Sequence, residues 1–133
     1  MILYIDTSKP ETKIALFENG RVLAEKVWLS VKNQSEELLS EINKIILKEN
    51  KTKSDIFKIV VVTGPGSYTG LRVGLSTANA LAFCLNIAIE GVSSDESKGL
   101  EQLNNSKKLN HFERWVVPKY LYEPQITKPK PRR

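Results

Sequence analysis

The chain has 133 residues, long enough for one domain with a single core and too short for several catalytic domains. Its 41% hydrophobic and 26% charged residues are the proportions of a soluble globular protein and exclude wholesale disorder. One cysteine, Cys84, and one histidine, His111, exclude an internal disulfide framework and a histidine-rich metal site built from this chain alone.

The opening MILYIDTS reads as a buried strand ending in a polar turn. It shows neither a basic leader nor a cleavable small-residue site, so a cytoplasmic protein is expected. TKIALFE reads as a second strand; Asn19-Gly20 supplies the positive φ angles of a tight hairpin, and RVLAEKVWL returns as a third strand of an antiparallel meander. Asn33, with Glu36 three positions on, has the pattern of a capping box opening the helix QSEELLSEINKIILKEN. Within it Leu38, Ile42, Ile45 and Ile46 fall on one face at helical spacing.

After the polar KTKSD, the unbroken apolar centre of FKIVVVTG suits an interior strand covered on both faces. A glycine-rich loop follows, then a helix from about Gly70 to about Asn86, and IAIEGVSS returns as a fifth strand through a right-handed βαβ unit. The uncharged run 73–89 is 17 residues long but contains Ser76, Thr77, Asn79 and Asn86, which fits a buried helix running into a strand better than a membrane span. Ser93 with Glu96 signals a further short helix through Leu103. The expected division is a domain over 1–104 and a basic, proline-containing tail over 105–133.

The net charge of +5 is unevenly placed. Residues 1–97 carry 11 Lys/Arg against 12 Asp/Glu, while residues 98–133 carry 9 against 3. Lys128, Lys130, Arg132 and Arg133 are thus candidates for contact with RNA phosphates, set against a solvated terminus that only aids solubility.

The stretch TGPGSYTGLRVGLSTANALAF is the most informative in the chain. It is not a Walker loop, because Gly70 is followed by Leu71 and Arg72 instead of Lys and Ser/Thr, and Ser67 has Pro65 and Thr69 at the two positions where a nucleophile elbow needs glycine. A dinucleotide reading stays open: Gly64, Gly66 and Gly70 lie between a strand and a helix, and Glu90 ends the next strand where an acid would meet a ribose. The helix itself points elsewhere. Gly70, Gly74, Ala78 and Ala82 recur every four residues, so one stripe has almost no side chain and admits another backbone closely. A helix apolar nearly all round needs a partner on more than one side.

The strand ILYIDTS, the hairpin, the amphipathic helix opened by Ser35-Glu36, and above all TGPGSYTGLRVGLSTANALAF followed by IEGVSS resemble the TsaB family of the bacterial tRNA threonylcarbamoyladenosine machinery. The resemblance covers about residues 1–97, and VVPKYLYEP is similar to the family's C-terminal Pro-x-Tyr-Leu segment. It implies the actin-like, Hsp70-like ATPase fold, of the ribonuclease H-like kind, with a mixed five-stranded sheet. Family members carry a second domain, most of which the short span 95–115 leaves no room for.

The resemblance further implies a subunit with no catalytic residues, metal or cofactor of its own. Asp6-Thr7-Ser8 lacks the glycine of the fold's first phosphate loop, so Asp6 is expected to close a turn and not to hold magnesium. The implied partner is the catalytic paralogue TsaD, joined through a helical bundle, with the ATPase TsaE in the assembly and tRNA reached through the complex. Homodimerisation in the absence of TsaD stays open. Leu38, Ile42, Ile45, Gly70, Gly74, Leu75, Ala78 and Ala82 are the residues expected at the TsaD contact, with Arg72 as a candidate ion-pair partner across it. Gly64, Pro65, Gly66, Ser67 and Thr69 are expected to turn the chain and cap the helix.

Overall fold

The computed structural model describes residues 1–30 and 33–94. Five strands and two helices follow in the order β1 (Ile2–Asp6), β2 (Glu11–Glu18), β3 (Arg21–Leu29), α1 (Gln34–Lys48), β4 (Lys58–Gly64), α2 (Tyr68–Leu85) and β5 (Ala88–Ser93). The sheet order is β3-β2-β1-β4-β5. The meander pairs antiparallel, whereas β1 with β4 and β4 with β5 pair parallel.

The hairpin forms as its composition dictates, with Asn19 at φ 52° and Gly20 at φ 80°. Strand β4 is buried along its whole length, as its unbroken apolar run requires of the strand between β1 and β5. Residue alternation sorts the strands into two faces. Leu3, Ile5, Ile14, Leu16, Ile59 and Val61 face the helices and form one core with them. Tyr4, Ala15, Phe17, Val60 and Val62 form a second cluster on the opposite face, where Tyr4 and Phe17 meet edge to face with centroids 6.4 Å apart.

Helix α1 buries Leu38, Ile42, Ile45 and Ile46, the stripe its spacing predicts. Its start differs from expectation. Asn33 is left-handed at φ 51° and its side chain makes no cap hydrogen bond, so the first turn relies on Glu36 and Glu37 against the helix dipole instead of a capping box. Glu37 also accepts a hydrogen bond from Ser30 Oγ at 2.6 Å. Farther along, Glu41 joins α1 to β3 through Lys26 at 2.5 Å. Helix α2 starts two residues earlier than predicted, at Tyr68, because Ser67 is its N-cap and accepts from Gly70 N. The short helix expected from Ser93 and Glu96, the boundary at 104 and the basic tail lie outside the described residues.

The closest helix-to-sheet approach is at Gly74. A Cβ built there would overlap Thr7 Oγ1 and come within 3.0 Å of Thr7 Cγ2. Alanine in place of a helical glycine ordinarily stabilises by about 1 kcal/mol. Here the overlap reverses the sign: Gly74→Ala is expected to lower unfolding free energy in urea by about 1–3 kcal/mol. Adding Thr7→Ala should recover part of that loss, and full additivity of the two changes would show that the contact does not exist.

Hydrogen bonding from Lys26 holds the Glu41 carboxyl below the ordinary glutamate value of 4.5, outweighing the opposing effect of burial. A carboxylate depressed in the folded state adds stability above its unfolded pKa and loses it as pH falls through the folded value. Glu41→Gln should therefore melt below the wild type at pH 7, and the gap between the two should shrink as pH falls below the ordinary value of 4.5.

Candidate functional site

Two features surround the start of α2: the loop that precedes it and the surface it turns to solvent. The loop is fastened to its own chain on both sides. Ser67 N donates to Ser8 O at 3.1 Å, while Ser94 N donates to Gly64 O at 2.9 Å and Ser94 Oγ to Pro65 O at 3.0 Å. The turn it meets is closed by Asp6, whose Oδ1 accepts from Ser8 N at 2.9 Å and Ser8 Oγ at 2.6 Å. This is the strand-end turn expected of Asp6.

The glycines of the loop and helix have a packing cause. A Cβ on Gly66 would come within 2.7 Å of Ser8 Cβ, and one on Gly70 would strike Thr7 O. What approaches these positions is the backbone after β1. Glu90, the other support of a dinucleotide reading, forms an ion pair with Lys58, whose side chain is only 1% exposed. The acid and the glycines are thus engaged within the protein.

The small-residue stripe faces inward, which corrects the expected interface. Gly70, Gly74, Leu75, Ala78 and Ala82 are buried under the chain's own sheet and α1, and so are Leu38, Ile42 and Ile45 of α1. The close approach foreseen from the spacing takes place, but within the chain: Thr7 fills the place of a partner backbone. Arg72 alone of the expected contact residues is exposed. Its guanidinium lies 5.5 Å from the centre of the Tyr68 ring.

The solvent-facing stripe of α2 consists of Thr69, Arg72, Ser76, Ala80 and Phe83, which a step of about 100° per residue brings onto one side. No charged residue lies between Arg72 and Glu90. Phe83 is 70% exposed and Tyr68 52%, large values for aromatic side chains. At the N-terminal end an open cleft runs between Ser35 of α1 and Tyr68, Thr69, Arg72 and Val73 of α2. Leu39, one turn along α1 from Ser35, is 44% exposed. A helix apolar nearly all round calls for a partner on a second side, and this stripe is the side that the fold leaves exposed.

Among the described residues no group of three or more His, Cys, Asp or Glu side chains could hold a metal, and no helix is long and apolar enough to cross a membrane. Lys128, Lys130, Arg132 and Arg133 lie outside the described residues.

Residues 22–109 match the family model described as TsaD, tRNA N6-adenosine threonylcarbamoyltransferase. The chain is 41% identical over 96 residues to the tRNA threonylcarbamoyladenosine biosynthesis protein TsaB of Bacillus subtilis, covering 72% of this chain and 42% of that protein. Against the protein of the same description from Escherichia coli the identity is 31% over 93 residues, covering 70% and 40%. It is also 33% identical over 113 residues to a tRNA N6-adenosine threonylcarbamoyltransferase of Geotalea daltonii, covering 73% and 33%. Among solved structures, YeaZ from Pseudomonas aeruginosa superposes with a TM-score of 0.64 at 27% identity, over 69% of this chain and 43% of that one. Thermus thermophilus RuvC does so at 0.51 and 11% identity, over 85% and 83%, a likeness of fold alone. The actin-like, ribonuclease H-like fold class is thereby shown. The chain spans about two fifths of the length of the TsaB relatives it matches.

Glu90→Gln keeps the shape of the side chain and removes one negative charge held against a Lys58 side chain that is 1% exposed. With Glu90 itself 35% exposed, the expected loss is about 2–3 kcal/mol in chemical denaturation, the low end for breaking a buried pair. Millimolar NAD or NADP should leave the melting temperature of the wild type unmoved. A rise would restore the dinucleotide reading.

Proposed function

The chain belongs to the TsaB family, within the wider family of tRNA N6-adenosine threonylcarbamoyltransferases, and from that premise we propose that it serves tRNA threonylcarbamoyladenosine formation as a non-catalytic subunit that docks a TsaD-type catalytic partner. The docking surface is the outer stripe of α2, with the flank of α1 bearing Ser35 and Leu39 beside it. One observation carries this reading: a helix already buried on one side presents to solvent a second side without charge between Arg72 and Glu90, with Phe83 70% exposed. An uncharged core with an aromatic anchor and an arginine at its margin has the composition of a protein-binding patch.

The likeness to the transferase itself supports the choice of partner. Two subunits of one fold can meet through equivalent helices about an approximate twofold axis, each offering the same stripe to the other. The same geometry would let two copies of this chain pair when the partner is absent. A TsaE-type ATPase and tRNA would reach the assembly through TsaD.

Co-purification with a TsaD-type protein from a TsaB-containing bacterium should yield a one-to-one complex, and threonylcarbamoyl transfer to tRNA should require both chains. Ala80→Arg and Phe83→Asp should each weaken the complex at least a hundredfold in Kd while leaving the melting temperature within about 2 °C, because both positions are exposed. Undiminished binding by both variants would remove α2 from the interface. Transfer by this chain alone would remove the non-catalytic reading.

A further inference from the structure

The cleft at the start of α2 holds a charge without a counter-charge. Arg72 is the sole charged residue of α2, and it is exposed. Ser76 and Thr77 complete the lining of this cleft of about 340 Å³, so every wall residue except Arg72 and Val73 bears a hydroxyl. Among the described residues the ion pairs join lysines to glutamates, and none includes Arg72. Glu36, the neighbour of Ser35 in sequence, is exposed but does not line the cleft.

The guanidinium is presented in a particular way. Its carbon lies over the Tyr68 ring, 5.5 Å from the centroid. The N–H groups of arginine radiate in the plane of the group, so a ring against one flat side leaves the edges open to an acceptor. A carboxylate meets such an edge with two parallel hydrogen bonds. Hydroxyls around it can donate to the lone pairs that remain.

Docking over the outer stripe of α2 would make this charge costly. At the helical rise per residue Arg72 and Phe83 stand about 16 Å apart along the axis, whereas an interface of about 800 Å² per partner is about 30 Å across. A partner seated between the two covers both and takes the guanidinium out of water. A charge buried without an opposite charge is strongly unfavourable. We propose that the docking partner answers it with an Asp or Glu side chain that enters this cleft and pairs with Arg72. This rests on the docking reading above and adds the chemistry that the partner brings to it. Tyr68 is the positioning residue that holds the guanidinium edge-on to the acid.

The affinity of a TsaD-type partner, measured by calorimetry at low and high salt, tests the pairing. Arg72→Gln should weaken the complex by about thirtyfold or more at low salt and flatten its salt dependence. Its melting temperature should stay within about 2 °C of the wild type, because the side chain is exposed. Arg72→Lys keeps the charge but loses the planar fork, and should still cost about fivefold. Tyr68→Leu should cost about fivefold alone and nothing further in the Arg72→Gln background. Lys48→Gln removes the same charge from an exposed position at the end of α1 and should leave Kd unchanged. A complex that Ala80→Arg and Phe83→Asp weaken, but that Arg72→Gln leaves within about threefold of the wild type, would overturn this proposal and keep the docking surface. Indifference of the complex to all three changes, or no complex at all, would overturn both.

Discussion

The contact between the turn after β1 and the first two turns of α2 governs the rest of the structure. Thr7 and Ser8 occupy the space where Gly66, Gly70 and Gly74 would carry side chains, so the helix lies against the strand end with backbone nearly touching backbone. Such a contact has little tolerance, because a packed interior does not compress to admit even a methyl group. It sets the rotation of α2 about its own axis. Once the glycine and alanine stripe is held inward, the stripe of Arg72, Ser76, Ala80 and Phe83 is turned outward. The surface proposed for the partner thus follows from a packing constraint on the opposite side of the same helix.

The same contact explains which parts of the fold were legible in the sequence. The meander, the Asn19-Gly20 turn, the buried stripe of α1, the interior strand and the βαβ crossover are each encoded by neighbours in sequence, through alternation, periodicity or turn chemistry, and each is found. The small-residue stripe encodes a close approach equally clearly. It carries no mark of whose backbone approaches. Thr7 lies more than sixty positions from Gly74, and nothing local pairs them, so the stripe was read as facing another subunit when it faces a turn of its own chain.

The error at Asn33 has a different origin. The capping-box pattern requires the cap residue in an extended conformation with its side chain over the first turn. Asn33 adopts the left-handed region instead, which asparagine tolerates better than most residues, and the entry of α1 is held by Ser30 and Glu37. The pattern identified the helix start and missed the bonds that make it. Ser67, by contrast, caps α2 as expected.

The glycine loop, the inner side of α2 and the parallel strand that follows are all engaged in contacts within the domain. The inner side of α2 is used by Thr7, the loop before it is tied by Ser8 and Ser94, and Glu90, which lies inside β5 and not at its end, is paired with Lys58. The outer side of α2 is exposed and carries no charge between Arg72 and Glu90. Exposed apolar side chains such as Phe83 gain free energy when a complementary surface covers them. On the proposed reading, that exposed side gives the chain its surface for assembly, with Phe83 as the anchor.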